Sequence, residues 1–62
     1  MCLSAVYEVS GGNEKLVLEH VSGIEADGAS FKLTDIMGDE VVVNGTLKSI
    51  DLVRNVIKIE VA

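Results

Sequence analysis

Residues 27–45, DGASFKLTDIMGDEVVVNG, decide the fold class of this chain. The stretch opens on Asp27-Gly28, a pair that favours a tight hairpin because glycine adopts positive φ without steric strain. Phe31 and Leu33 then alternate with polar neighbours, and this period of two is typical of a β-strand. The first half of the stretch therefore predicts a hairpin followed by a strand.

The second half of the stretch repeats the pattern. A turn at residues 37–40 precedes the three valines at 41–43, and Asn44-Gly45 follows them. Asparagine and glycine tolerate the positive φ of two-residue turns, so Asn44-Gly45 is the strongest hairpin signal in the chain. The second half predicts a further strand and a further hairpin.

Strands and turns continue toward the N-terminus. Residues 3–10 alternate in polarity, and Gly11-Gly12-Asn13 provides turn chemistry. A second strand is predicted from about residue 15 to residue 20. Gly23 interrupts it, so residues 24–26 form either another short strand or the continuation of a bent one.

The C-terminal part also predicts strands. Alternation slips by one residue between Leu47 and Ile50, which predicts a bulge near Lys48 and Ser49. After a turn, residues 56–61 alternate again, and their apolar members, which would share one face, are Ile57, Ile59 and Val61.

Together these segments predict an all-β chain. Six or seven short strands without proline or a helical stripe suggest an antiparallel meander that curls into a small β-barrel, SH3-like or OB-like. A length of 62 residues predicts one domain, residues 1–62.

Size and composition favour a homodimer. A core this small is marginal without disulfides, a metal or self-association, and Cys2 is the only cysteine, so no disulfide can form within the chain. The chain is 48% apolar with a mean hydropathy of +0.41, which is high for a monomer of this length. We therefore expect two chains to associate.

The charge of the chain and the lack of targeting signals argue against several classes of function. Ten acidic and five scattered basic residues give a net charge of −5, which opposes nucleic-acid binding because that requires clustered cations. The N-terminus lacks a signal-peptide pattern, and no apolar run reaches membrane-spanning length. A single free cysteine suits a reducing compartment, so we expect no membrane association and a cytoplasmic protein.

Catalytic residues are few. Cys2 and His20 are the only thiol and the only imidazole, and a nucleophilic pair would need both within hydrogen-bond reach. A chain of this size has little room for a substrate cleft. We expect it not to be an enzyme.

Cys2 is the candidate metal ligand. If Met1 is removed, the α-amine and the thiolate of Cys2 can chelate a metal ion together. If Met1 stays, its amine and the Cys2 amide nitrogen can bind the metal beside the thiolate. Such nitrogen and sulfur donors suit square-planar Ni(II) or Cu(II), and two chains meeting at their N-termini would complete four ligands. The alternative is that Cys2 is an inert small apolar residue.

The sequence resembles a known family in several places. The opening MCLSAVY, the later LTDIMG at 33–38, VNG at 43–45 and IDL at 50–52 are similar to the CooT family of small nickel-binding proteins, some of which are labelled predicted RNA-binding proteins. The resemblance implies a β-barrel homodimer that binds Ni(II) through Cys2 of each subunit. It also implies a client nickel enzyme such as carbon monoxide dehydrogenase, for which the protein would deliver, buffer or sense nickel.

Two alternatives stay open. HypC-type maturation chaperones also begin Met-Cys, but they usually carry an early proline and often a C-terminal helix. This chain has no proline, and the pattern of residues 56–61 predicts a strand. The other alternative is a non-enzymatic interaction module, RNA-binding or HypC-like, in which Cys2 binds no metal. His20 could be a further ligand, although its spacing from Cys2 does not argue for it.

Overall fold

In this computed structural model the described residues are 3–61, and they form six β-strands and no helix. The strands are β1 (Ser4–Ser10), β2 (Asn13–Asp27), β3 (Ser30–Asp35), β4 (Glu40–Asn44), β5 (Thr46–Asp51) and β6 (Val56–Glu60). The all-β prediction is confirmed. Within residues 3–61 there is accordingly no helix that could cross a membrane.

All six strands belong to one sheet, in the order β4-β3-β2-β1-β6-β5. Four of the five ladders are antiparallel, but β1 and β6 are parallel, with Ala5 opposite Val56. The prediction of a purely antiparallel meander is therefore wrong at this pair. The two edge strands β4 and β5 share no ladder, so closure of the sheet into a barrel is not confirmed.

Strand β2 is one long, bent strand of 15 residues. Its first part pairs with β1 and its second part with β3, and Val21 pairs with both. The bend coincides with a positive φ of 58° at His20 and a register shift between Val21 and Gly23. Of the two alternatives for residues 24–26, continuation of a bent strand is the one observed.

Two predicted hairpins are confirmed. Gly11 and Gly12 have φ values of 55° and 85° in the turn between β1 and β2, and Gly28 has a φ of 61° between β2 and β3. Side chains are strained in this region of φ, so glycine suits each position. Local turn chemistry was sufficient to locate both hairpins.

The predicted hairpin at Asn44-Gly45 is wrong. Strand β4 pairs with β3, and β5 pairs with β6, so this dipeptide links the two edges of the sheet. Neither residue has the positive φ that a type I′ turn requires. Instead, the Gly45 N–H donates a hydrogen bond of 3.0 Å to the Ala29 carbonyl oxygen.

The predictions for the C-terminal part are confirmed. The β5–β6 ladder shifts register between Leu47 and Ser49, where the bulge was expected. Ile57 and Ile59 are buried, and the partly buried Val61 packs against the same cluster. Their shared face follows from the two-residue period of β6 and of the segment after it.

The core draws one or two residues from most strands. Its members are Val6, Val21, Leu33, Val43, Ile57 and Ile59. In β1 both Val6 and Val9 are buried, which departs from the simple alternation of residues 3–10. Val9 does not belong to the cluster above: β1 pairs with β6 without a register shift from Ala5 to Val9, so Val6 and Val9, three residues apart, lie on opposite faces of the strand.

Candidate functional site

The start of β1 lies at the end of the sheet that also contains the β3–β4 and β5–β6 loops. Ser4 pairs with Val21 of β2, and Val21 pairs with Asp35 at the end of β3. The loop of residues 36–39 follows directly, and its Ile36 N–H donates a 3.0 Å hydrogen bond to the His20 carbonyl. The β3–β4 loop therefore lies on one side of the start of β1.

The other loop lies on the opposite side of the start of β1. Ala5 pairs with Val56 at the start of β6, and Val56 pairs with Asp51 at the end of β5. The Ala5 N–H also donates a 2.9 Å hydrogen bond to the Asn55 carbonyl, within the loop of residues 52–55. Since the strand order is β4-β3-β2-β1-β6-β5, the start of β1 lies between the two loops, nearer to the 52–55 loop.

The loop at 36–39 is held by the side chain of Asp35. Its Oδ1 atom accepts hydrogen bonds of 2.9 Å from the backbone N–H groups of Met37 and Asp39. The Gly38 N–H donates to the Asp35 carbonyl at 3.0 Å, and Gly38 adopts a φ of 90°. One carboxylate thus fixes a tight turn whose apolar residues face outward.

The loop at 52–55 is held in the same way by Asp51. Its Oδ1 atom accepts 3.0 Å hydrogen bonds from the backbone N–H groups of Val53 and Arg54. The bond from Arg54 is the largest cause of a lowered Asp51 pKa, since it stabilises the charged carboxylate; partial desolvation opposes it. Asn55 closes the loop with a φ of 58°.

Both loops expose large apolar side chains. Those of Ile36, Met37, Leu52 and Val53 are 65%, 84%, 81% and 92% exposed, more than any other large apolar residue among residues 3–61. We call these four residues the apolar rim. Two exposed apolar pairs at one end of the sheet make that end a candidate interaction surface. The sequence analysis missed this feature, because it placed Ile36 and Leu52 in strand patterns and predicted the turns only at residues 37–40 and 54–55.

Cys2, the predicted metal ligand, lies outside the described residues, and the structure does not test its role. Its neighbour Leu3 is half-buried and directly precedes β1. Among residues 3–61, no three His, Cys, Asp or Glu side chains come together as a metal cluster. A metal site at this end would therefore need donors from the N-terminal residues themselves or from another chain.

His20 lies at the same end of the sheet. It precedes Val21, the partner of Ser4, and its side chain is exposed. The backbone of His20 has two structural roles. Its positive φ coincides with the bend in β2, and its carbonyl oxygen accepts a hydrogen bond from the Ile36 N–H. The fold thus brings His20 near the start of β1, which its sequence spacing from Cys2 did not suggest.

Comparison with known proteins gives a consistent result. The family model described as "CO dehydrogenase accessory protein CooT" matches residues 1–60. The crystal structure of a protein assigned as a CooT from Carboxydothermus hydrogenoformans is 28% identical in sequence, with a TM-score of 0.89 and 98% of each chain covered. Among the curated proteins, none matches.

The family match spans nearly the whole chain, including the Met1-Cys2 start. The structural match covers the same extent and reproduces the all-β fold described above. The resemblance inferred from the sequence is therefore confirmed, and the chain belongs to the CooT family of CO dehydrogenase accessory proteins.

Proposed function

We propose that this protein is a homodimeric Ni(II)-binding accessory protein that delivers or buffers nickel for the maturation of a client nickel enzyme, such as CO dehydrogenase. In this proposal Ni(II) is the cargo, Cys2 of each copy supplies a thiolate ligand, and the protein itself catalyses no reaction. The observation that carries the proposal is the position of the start of β1 between the two loops of the apolar rim.

The chemistry of the N-terminus suits the cargo. Only Leu3 separates Cys2 from Ser4, the first residue of β1. A thiolate with adjacent amine or amide nitrogens is a donor set that favours square-planar Ni(II) or Cu(II) over tetrahedral zinc. One N-terminus supplies too few donors for a complete site, and two N-termini supply four.

The apolar rim explains how two N-termini could meet. A two-fold axis close to the start of β1 would place the 36–37 pair of one copy against the 52–53 pair of its partner, and the reverse. The two loops are separated by four strand spacings, about 19 Å along the sheet. Such an interface would cover the four most exposed apolar side chains and bring both copies of Cys2 to the axis.

Nickel titration tests the proposal. We expect the purified protein to bind one Ni(II) per two chains, with a sulfur-to-nickel charge-transfer band in the absorption spectrum. Cys2→Ser should abolish the band and the binding while leaving the dimer intact by light scattering. His20→Ala is the matched control, and it should retain the band if His20 is not a ligand.

A different result would favour the alternative function. If the protein binds no Ni(II), or binds it equally well with Cys2→Ser, the metal proposal is wrong and an interaction module remains. An RNA-binding role would in addition require affinity that falls steeply with salt, and the net charge of −5 opposes it.

A further inference from the structure

The two loops of the apolar rim share a pattern of side chains but differ in the sign of their charge. Each loop begins with two exposed apolar residues, 36–37 in one loop and 52–53 in the other. An exposed charged residue follows each pair, Asp39 in the first loop and Arg54 in the second. Each loop is therefore complementary in charge to the other loop and not to a second copy of itself.

Asp39 is the carboxylate of the first loop that has no cation beside it. The carboxylates on either side of the loop are engaged, because Asp35 Oδ1 accepts the backbone N–H groups of the turn and Glu40 Oε2 lies 3.8 Å from Lys32 Nζ. Asp39 forms no ion pair with any side chain among residues 3–61. Its charge is thus available to a cation from outside the chain.

Arg54 is the only cation of the second loop. Asp51, at the start of this loop, is close enough to attract it, but the Asp51 Oδ1 atom accepts the backbone N–H groups that hold the loop. Within the described range 3–61, the Arg54 guanidinium forms no ion pair with Asp51 or with any other side chain. A guanidinium in this state can bind an external carboxylate in a planar, two-pronged geometry.

Two symmetric arrangements would bring the rims of two copies together. A two-fold axis perpendicular to the sheet at β1 places the 36–39 loop of one copy opposite the 52–55 loop of the other. A two-fold axis that runs across the strands instead places each loop opposite its own copy. Both arrangements cover the apolar side chains, so apolar burial alone does not select between them. Charge does select, because like loops would bring like charges together.

We propose that Arg54 of each copy pairs with Asp39 of the other copy and thereby selects the dimer in which unlike loops meet. The inference rests on the homodimer of the proposed function and deepens it, since it names the residues that set how the two copies are oriented. Two-fold symmetry forms the pair twice in each dimer. The same orientation brings the two starts of β1, and with them the two N-termini, toward one axis.

Charge reversal in the full chain tests the pair. We expect Arg54→Glu and Asp39→Lys each to raise the dimer dissociation constant at least about ten-fold in analytical ultracentrifugation without Ni(II). Asp39→Lys reduces the net charge from −5 to −3, which lowers the general repulsion between copies, so a weaker dimer in this variant points to a local contact. Arg54→Ala should weaken the dimer about two- to ten-fold, because two exposed pairs are lost.

Mixing the two reversal variants provides the decisive comparison. In a heterodimer of Arg54→Glu with Asp39→Lys, both contacts again join opposite charges, so an equimolar mixture should dimerise about as tightly as the wild type. The double variant with both reversals in one chain should do the same. Recovery in the mixture also shows that each single variant is folded.

A control variant and salt separate the pair from general charge effects. Lys15→Glu makes the same change in net charge as Arg54→Glu, at an exposed position of β2 near its β1 hairpin, and should leave the dimer nearly unchanged. The difference in dissociation constant between the wild type and Arg54→Ala should shrink as the NaCl concentration rises, because salt screens exposed charges.

Three results would contradict the proposal in different ways. A wild-type dimer that both single reversals leave intact would overturn the ion pair while the homodimer and its nickel site stand. Single reversals without effect, together with a mixture that dimerises more tightly than the wild type, would show that like loops meet. A wild type that sediments as a monomer would contradict the homodimer of the proposed function itself.

Discussion

Gly45 lies against the backbone of Glu60, so closely that a Cβ atom at position 45 would collide with the Glu60 carbonyl oxygen. The contact joins the linker between the two edge strands to the end of β6. Because Gly45 does not have a positive φ, the need for glycine here is steric and arises from tertiary packing.

Gly45→Ala should therefore destabilise the protein. The added methyl group meets backbone atoms of Glu60 and the Ile59 side chain, which cannot move aside as a flexible surface side chain could. We expect the free energy of unfolding to fall by about 1–3 kcal/mol, the usual range for overpacking, in urea denaturation followed by circular dichroism.

Gly23→Ala is the matched control for this substitution. Gly23 is also in the sheet without a positive φ, and a Cβ there meets no atom within 4 Å. Its unfolding free energy should change much less. An equal loss of unfolding free energy in both variants would show that the destabilisation comes from replacing any strand glycine and not from the contact with Glu60.

Val53→Asp tests the apolar rim as the dimer interface. Val53 is 92% exposed, so the substitution should scarcely change folding but should place a carboxylate in the proposed interface. We expect a shift from dimer to monomer in analytical ultracentrifugation, together with loss of the one-to-two nickel stoichiometry.

Val42→Asp provides the comparison for the rim. Val42 is 61% exposed and lies on β4, away from the two rim loops. The Val42→Asp substitution makes the same chemical change as Val53→Asp and should leave the dimer intact. Dissociation caused by Val42→Asp but not by Val53→Asp would place the interface at β4.

Asp51 should make stability depend on pH in acid. Hydrogen bonds from the N–H groups of Arg54 and Val53 favour the carboxylate, so the folded pKa is below the ordinary value. A lowered folded pKa means that this contribution is present above the unfolded pKa and is lost as pH falls through the folded pKa. We expect Asp51→Asn to be less stable than the wild type near neutral pH.

The pH dependence distinguishes this role from a general effect of substitution. The difference in unfolding free energy between the wild type and Asp51→Asn should shrink as the pH is lowered through the Asp51 pKa, which carboxyl NMR titration can measure. A difference that is constant across this range would contradict the role of the charged carboxylate.

Glu14→Gln should change the stability of the fold only slightly. The ion pair with Lys58 is partly exposed, with 33% and 46% of the two side chains accessible, so we expect a stability loss below about 1 kcal/mol. Urea denaturation followed by circular dichroism measures this change in the free energy of unfolding. A loss of more than about 2 kcal/mol would contradict the assignment of a solvent-screened surface pair.

Much of the fold follows from local sequence. Gly11-Gly12 and Asp27-Gly28 located two hairpins, because the positive φ of a turn is a property of the residues in the turn itself. The slip in alternation after Leu47 located the bulge for a similar reason. The Met-Cys start likewise identified Cys2 as the candidate ligand, since donor chemistry belongs to the side chain.

Only the tertiary structure determined which strands pair. The Asn44-Gly45 signal was misleading because a turn-forming dipeptide shows that the chain can reverse, while pairing depends on which edge lies within hydrogen-bond reach. The parallel contact of β1 with β6 joins residues about 50 positions apart and leaves no local pattern. The apolar rim depends on the same β1–β6 pairing. Because β1 lies between β2 and β6, the loops that contain Ile36 and Leu52 come to the same end of one sheet. The sequence by itself thus determined the strands, most of the turns and the candidate ligand, whereas long-range pairing decided which loops lie beside the start of β1.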